Sequence, residues 1–145
     1  MEIGIEWGIS ITFIIICAIF DIRKKEIPIF VIILFGCISI LFIGISGKRT
    51  WADIMYSLAP GGFLLLLSLC TRESIGYGDG MAVLVLGILM GYRGCIVIII
   101  IGFISSAFCA LVLLVCGKVK GKSRLPFLPF LAIGLGVFYI AQNNL

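Results

Sequence analysis

The feature that most constrains this chain is a series of long apolar runs separated by short charged connections. Of its 145 residues, 62% are hydrophobic and 12% are charged, and the mean hydropathy is +1.30. A soluble domain of this size cannot bury that much apolar surface. Backbone polar groups find no water in lipid, so only helices or closed barrels span it, and the runs lack the alternation of a barrel. We therefore predict an all-α, polytopic membrane protein with one domain over residues 1–145.

The apolar runs predict six transmembrane helices. The fourth run, residues 81–90, is too short to span the membrane as a helix. A helix of that length crosses only about 15 Å of a hydrocarbon core about 30 Å thick. Either this segment does not cross fully or, as we expect, residues 76–80 add irregular backbone at membrane depth, which is tolerated where it lines a cavity inside protein. The six predicted spans are residues 3–20, 27–45, 51–70, 81–90, 95–116 and 125–141.

The lysines and arginines predict the orientation of these spans. The net charge of +4 does not point to nucleic acid, because the basic residues lie mainly in the connections between spans. The side richer in basic residues faces the cytoplasm, which places both termini outside and predicts a multi-pass protein of a cell membrane, inner or plasma. The cytoplasmic connections would hold Arg23, Lys24, Lys25, Arg72, Lys118, Lys120, Lys122 and Arg124, against Lys48, Arg49 and Arg93 outside.

A carboxylate, Asp79, stands in the glycine-rich stretch at residues 76–80. Ionised groups at membrane depth are costly and usually mark function. Gly76 and Gly78 permit backbone conformations closed to other residues and would let an extended substrate approach. The alternative interpretation is that Asp79 only caps the following helix, where an acid is favoured.

A second carboxylate, Asp21, falls on the same predicted side at the end of the first run. Taken alone, it is better explained as a solvated charge beside Arg23. Two carboxylates that hold one water and share a proton can, however, hydrolyse a peptide without a metal or a nucleophilic side chain. The chain has no histidine, which removes Ser-His and Cys-His catalysis and any credible zinc ligand set. Its six cysteines form no Cys-x-x-Cys pair, so we expect neither metal nor cofactor.

Three stretches resemble the motifs of type IV prepilin peptidases. Residues 21–28, Asp-Ile-Arg-Lys-Lys-Glu-Ile-Pro, resemble the Asp-x-Arg-x-x-x-Ile-Pro stretch of that family, and residues 76–79 match its Gly-x-Gly-Asp motif. Residues 125–132 are similar to the Pro-Phe-Gly-Pro-Phe-Leu-Ala signature that opens its last helix. The resemblance implies that Asp21 and Asp79 are the catalytic aspartates. It adds Arg23, Pro126, Phe127 and Pro129 as candidates near the site.

The resemblance also implies the reaction. Members of this family are intramembrane aspartyl endopeptidases that remove the short basic leader of prepilins or pseudopilins at the cytoplasmic face. The expected partners are the substrate helix and the lipid bilayer. The paired-cysteine region of longer members, associated with N-methylation, has no counterpart, which implies a peptidase-only form. Three departures from the common motifs, at Ile29, Met81 and Leu128, bear on substrate preference and loop geometry.

Two other classes remain open from the residues. A protease of the presenilin or signal-peptide-peptidase type shares Gly-x-Gly-Asp, although those proteins are larger and place their first aspartate in a different motif. A non-catalytic membrane assembly factor or small transporter subunit could retain the same fold. Cleavage of a prepilin-like peptide by the purified chain discriminates the prepilin peptidase from a non-catalytic protein.

Overall fold

The structure is a computed structural model that describes residues 4–47, 49–70, 76–117 and 126–144, and every regular element in these ranges is a helix. Four of the helices are long and apolar enough to cross a membrane, which confirms the all-α class. The predicted six spans are not supported by this count, and neither is the orientation of the termini deduced from it. The helices are α1 (Ile5–Lys24), α2 (Ile29–Ser46), α3 (Trp51–Cys70), α4 (Tyr77–Val115) and α5 (Leu128–Asn144).

The count differs for two reasons. The helix α5 has only 17 residues and is not among the four, and the predicted fourth and fifth helices form one element, α4, that is interrupted only at Gly91. This residue has φ 76° and ψ 172°, a conformation that glycine adopts without steric cost. We call residues 77–90 the first arm and residues 92–115 the second arm. The Cys95 thiol donates a hydrogen bond to the Val83 carbonyl at 3.7 Å, whereas the same separation along a straight helix would be about 18 Å. The arms therefore fold back on each other.

The ends of the other helices follow local chemistry. Lys25 adopts the left-handed conformation (φ 53°), and its N–H donates to the Asp21 carbonyl at 3.0 Å, which ends α1. The α1 helix is therefore longer than predicted and includes the charged turn. Pro28 precedes α2, and Gly47 (φ 59°) ends it, as glycine commonly does at a helix C-terminus. The predicted bounds of α3 are those observed.

The first arm of α4 is the centre of the bundle, since nearly all of its residues from 80 to 89 are buried. Two glycines let α3 approach it closely. A Cβ at Gly61 would lie 2.7 Å from the Leu84 backbone nitrogen, and one at Gly80 would lie 3.1 Å from that of Leu65. The later residue of α3 lies opposite the earlier residue of the first arm, so α3 runs antiparallel to this arm.

The second arm packs in the same antiparallel sense against α5. A Cβ at Gly134 would lie 2.5 Å from the Ile98 carbonyl oxygen, and one at Gly102 would lie 3.2 Å from Leu131. The outer surface is apolar, as expected where helices face lipid; Phe30 and Val115, for example, are more than two thirds exposed.

Candidate active site

Asp21 lies in the last turn of α1, and its side chain is buried, with 7% of the residue exposed. Its Oδ2 accepts a hydrogen bond from the backbone N–H of Leu128 at 3.1 Å, and the backbone N–H of Phe127 also binds the carboxylate. These groups lie at the N-terminus of α5, where N–H groups lack intrahelical partners and the helix dipole favours negative charge. Asp21 therefore both caps α5 and is oriented by it.

Asp79 lies in the first turn of α4, at the start of the first arm. The N-cap residue is Gly76, whose carbonyl accepts the Asp79 N–H at 3.1 Å. The carboxylate folds back towards Gly76, since a Cβ there would lie 3.0 Å from Asp79 Oδ2. Asp79 is therefore not the N-cap residue itself, although an acid in the first turn is still favoured by the helix dipole.

The structure brings Asp21 and Asp79 to the same end of the bundle. The chain that follows Asp21 contacts the start of the first arm, because a Cβ at Gly78 would lie 2.8 Å from Ile27 Cδ1. The α1 helix runs antiparallel to α5. The Trp7 ring lies 5.7 Å from that of Phe138 at one end, while Asp21 binds the start of α5 at the other.

The other candidates from the sequence have mixed positions. Gly76 precedes α4, as expected, but Gly78 is helical, so the prediction of irregular backbone over residues 76–80 is wrong. The space left by Gly78 is filled by Ile27. Arg23 is exposed in the last turn of α1.

The proline-rich candidates lie at the start of α5. Pro126 and Phe127 immediately precede the helix, and Pro129 is in its first turn. The Phe127 ring packs against Phe103 of the second arm, with centroids 4.9 Å apart. This stretch therefore lies directly beside the carboxylate of Asp21, although the side chains of the two prolines make no polar contact with it.

Two main-chain contacts are not predicted from the sequence, one at this site and one at the opposite end of the first arm. Leu128 drew notice only as a departure from a family glycine, whereas its contribution is a backbone N–H that any residue except proline would supply. Arg49 was counted as a topology charge, yet it binds backbone carbonyls of the first arm. Main-chain partners leave no mark in a sequence, so no signal could have revealed either contact.

An apolar groove of about 370 Å³ lies between α3 and the second arm. Because Leu65 lies opposite Gly80 and α3 is antiparallel to the first arm, the Leu67 end of the groove reaches the level of Asp79. On its other wall, the groove reaches Phe103, which packs on Phe127 beside the Asp21 site. The lining residues include Pro60, Phe63, Leu67, Tyr92, Ile99 and Phe103.

These features define a helical membrane protein that carries two acidic residues at one end of its bundle. A model of the type IV leader peptidase family matches residues 8–113, a range that contains both Asp21 and Asp79. This match covers most of the chain, so the chain belongs to the type IV leader peptidase family. The third motif, residues 125–132, lies beyond the matched range. Comparisons with curated proteins and with solved structures gave no match.

Proposed function

We propose that this chain is an aspartic endopeptidase that removes the short basic leader of type IV prepilins or pseudopilins. The observation that carries the proposal is the placement of Asp21 and Asp79 at one end of the bundle in a member of a leader peptidase family. Neither residue needs a metal or cofactor for this chemistry, because two carboxylates can activate one water between them.

In the proposed reaction, one carboxylate is ionised and the other is protonated. The ionised group takes a proton from the bound water as the water oxygen adds to the scissile carbonyl carbon, while the protonated group donates to the carbonyl oxygen. Collapse of the tetrahedral intermediate breaks the C–N bond. The leaving nitrogen takes up the proton removed from the water, and the hydroxyl formed from the carbonyl oxygen returns its proton to the second carboxylate as the new carboxyl group forms. The hydrogen bond from the Leu128 N–H supports this role by fixing the orientation of Asp21.

The substrate is proposed to enter from the bilayer. A prepilin presents its leader directly before a hydrophobic helix, so the helix must lie along the enzyme when the leader reaches the two aspartates. The groove between α3 and the second arm is open, apolar and ends at the level of Asp79. We assign the substrate helix as its occupant. A groove that ends at the candidate site would deliver a substrate to the two aspartates, whereas the binding of a lipid chain does not depend on where the groove ends.

In this proposal, the site lies at the cytoplasmic side of a cell membrane. Arg23, Lys24 and Lys25 cluster beside Asp21 at the end of α1, as expected of a cytoplasmic connection that anchors at the interface. In this arrangement each arm of α4 crosses separately, which gives six crossings with both termini outside. The first arm is only about 21 Å long, so Asp79 would lie below the membrane surface.

The experiment that tests this proposal is co-expression with candidate pilins, followed by mass spectrometry of the pilin N-termini. The unaltered chain should remove the leader, whereas Asp21→Asn and Asp79→Asn should each abolish removal while the protein remains inserted. Asp53→Asn is the matched control, because Asp53 is an exposed acid in the first turn of α3, away from the candidate site. Leader removal by either Asn variant would overturn the proposal. Failure of the unaltered chain to remove the leader of any pilin would overturn it as well.

A further inference from the structure

The break at Gly91 is accompanied by a cation that the proposed chemistry does not use. The last carbonyls of any helix lack intrahelical partners, and the first arm ends at this break. Arg49, in the connection between α2 and α3, donates from Nη1 to the Ile88 carbonyl at 2.5 Å and from Nη2 to the Leu89 carbonyl at 2.8 Å. Its guanidinium therefore caps the C-terminus of the first arm, where positive charge is favoured.

The shape of the break fits this guanidinium. A Cβ at Gly91 would lie 3.4 Å from Arg49 Cζ, so the missing side chain lets the planar group lie against the backbone. Two fixed donors on one planar group can hold two successive carbonyls at once, which the single ammonium of a lysine does less well. Arg49 is half-buried, so these bonds are partly shielded from water.

The break connects the two halves of the candidate site. The first arm carries Asp79 at its start. The second arm packs through Gly102 and Ile98 against α5, and the first turn of α5 binds Asp21. The path from one carboxylate to the other through α4 and α5 therefore passes Gly91, and the angle between the two arms contributes to the separation of the aspartates.

We propose that Arg49 is a positioning residue: by binding the Ile88 and Leu89 carbonyls it fixes the angle between the arms of α4, and with it the placement of Asp79 relative to Asp21. Arg49 lies at the opposite end of the first arm from Asp79 and does not contact the candidate site. This inference rests on the proposed peptidase function only for its kinetic readout.

The first test is kinetic and uses the full chain in detergent with a prepilin peptide. Arg49→Ala should lower kcat by about 10-fold or more, because small misplacements of catalytic groups cost about that much or more. KM should rise by less than kcat falls, because the groove keeps all of its lining residues and only one of its walls, the second arm, shifts. Arg49→Lys should restore part of kcat. Arg93→Ala is the matched control, since Arg93 is an exposed arginine just after the same break.

The second test does not depend on activity. Spin labels at positions 77 and 108, exposed residues on the first and second arms, report the distance between the arms. The label is attached in a version that keeps the buried Cys17 and Cys95, because Cys95 binds the first arm, and replaces the other four cysteines. Arg49→Ala should broaden or shift the distance distribution, and Arg93→Ala should leave it unchanged. If Arg49→Ala does not insert, the same comparison is made with Arg49→Lys, which should give a smaller change in the same direction.

An unchanged distance distribution in the Arg49 variants would overturn the inference, even if thermal stability fell, because Arg49 would then only stabilise the fold. A normal kcat in Arg49→Ala would overturn it as well. Failure of the unaltered chain to cleave any prepilin is a different result. It would remove the proposed function, while the label distances would still decide whether Arg49 fixes the angle.

Discussion

Each end of the first arm of α4 carries a charged side chain of the sign that the helix dipole favours, but the two side chains have different partners. At its N-terminus, the carboxylate of Asp79 lies beside Gly76 in the first turn; at its C-terminus, the guanidinium of Arg49 binds the last carbonyls beside Gly91. Each charge complements the dipole end that it faces. The difference is that Arg49 directs two donors at main-chain carbonyls, whereas Asp79 lies at the end of the bundle that also holds the carboxylate of Asp21. A charge at the end of an apolar helix is therefore not by itself a sign of catalysis, as the capping contacts of Arg49 show.

The largest expected effect comes from removing the charge at the N-terminal end of the first arm. Asp79→Asn should lower cleavage by about 1,000-fold or more, because the amide can neither take nor give the proton. Its unfolding free energy should change by less than about 1 kcal/mol, the size of a helix-dipole contribution. Leader cleavage and thermal unfolding in detergent measure the two. A large loss of stability would mean that Asp79 is mainly a structural residue.

The next prediction distinguishes the contribution of the Leu128 backbone N–H from that of the Leu128 side chain at the start of α5. Leu128→Pro removes the N–H that binds Asp21, at the first helical position, which tolerates proline. Leu128→Val loses similar packing volume at this fully buried residue but keeps the N–H. We expect kcat to fall about 10-fold further in the proline variant than in the valine variant, in line with the loss of a hydrogen bond to a charged group. Equal kcat values in the two variants would contradict a role for this bond.

At the Gly91 end the expected effect is on stability. Arg49→Ala should lower the unfolding free energy by about 2 kcal/mol, because it removes two charge-assisted hydrogen bonds and leaves carbonyls uncapped. Arg93→Ala should change it by less than about 0.5 kcal/mol, as is usual for an exposed residue. Thermal unfolding of the two variants in the same detergent makes the comparison, and equal stabilities would contradict the capping role.

The smallest expected effect concerns the glycine itself. Gly91→Ala places a Cβ on a residue with φ 76° and ψ 172°, a conformation essentially confined to glycine, and close to Arg49, which should cost about 1–2 kcal/mol. Gly136→Ala is the control, because Gly136 is helical and a Cβ there would meet nothing within 4 Å. The control should be neutral or stabilising by up to about 1 kcal/mol. Identical unfolding temperatures would show that the break does not require glycine.

The sequence predicted those parts of the molecule that depend on apolar run length. The bounds of α3 and the all-α class follow from where polar residues interrupt the runs. The junction between the arms of α4 was misjudged because a single glycine reverses the chain there. The helical start at Tyr77 was missed because two glycines suggested a loop, while close packing of Ile27 on Gly78 favours a helix in that place.

For the candidate site, the sequence predicted two acids on one side of the membrane, and the structure places both at one end of the bundle. The sequence did not predict what orients them. The partners of Asp21 are the main-chain N–H groups of Phe127 and Leu128, whose positions depend on how α5 packs. The same holds for Arg49, since its carbonyl partners are 39 and 40 residues away along the chain. Contacts of this kind are set by tertiary packing, which composition and motif spacing do not encode.

The bond between Asp21 and Leu128 also sets an order of events during synthesis. Its two residues are 107 positions apart, and they belong to α1 and α5, the first and the last helix in the described part of the chain. A ribosome therefore produces the carboxylate early and the N–H that orients it late. Until α5 has packed against α1, the nascent chain lacks an oriented Asp21, so the complete site forms only after the bundle has assembled around it.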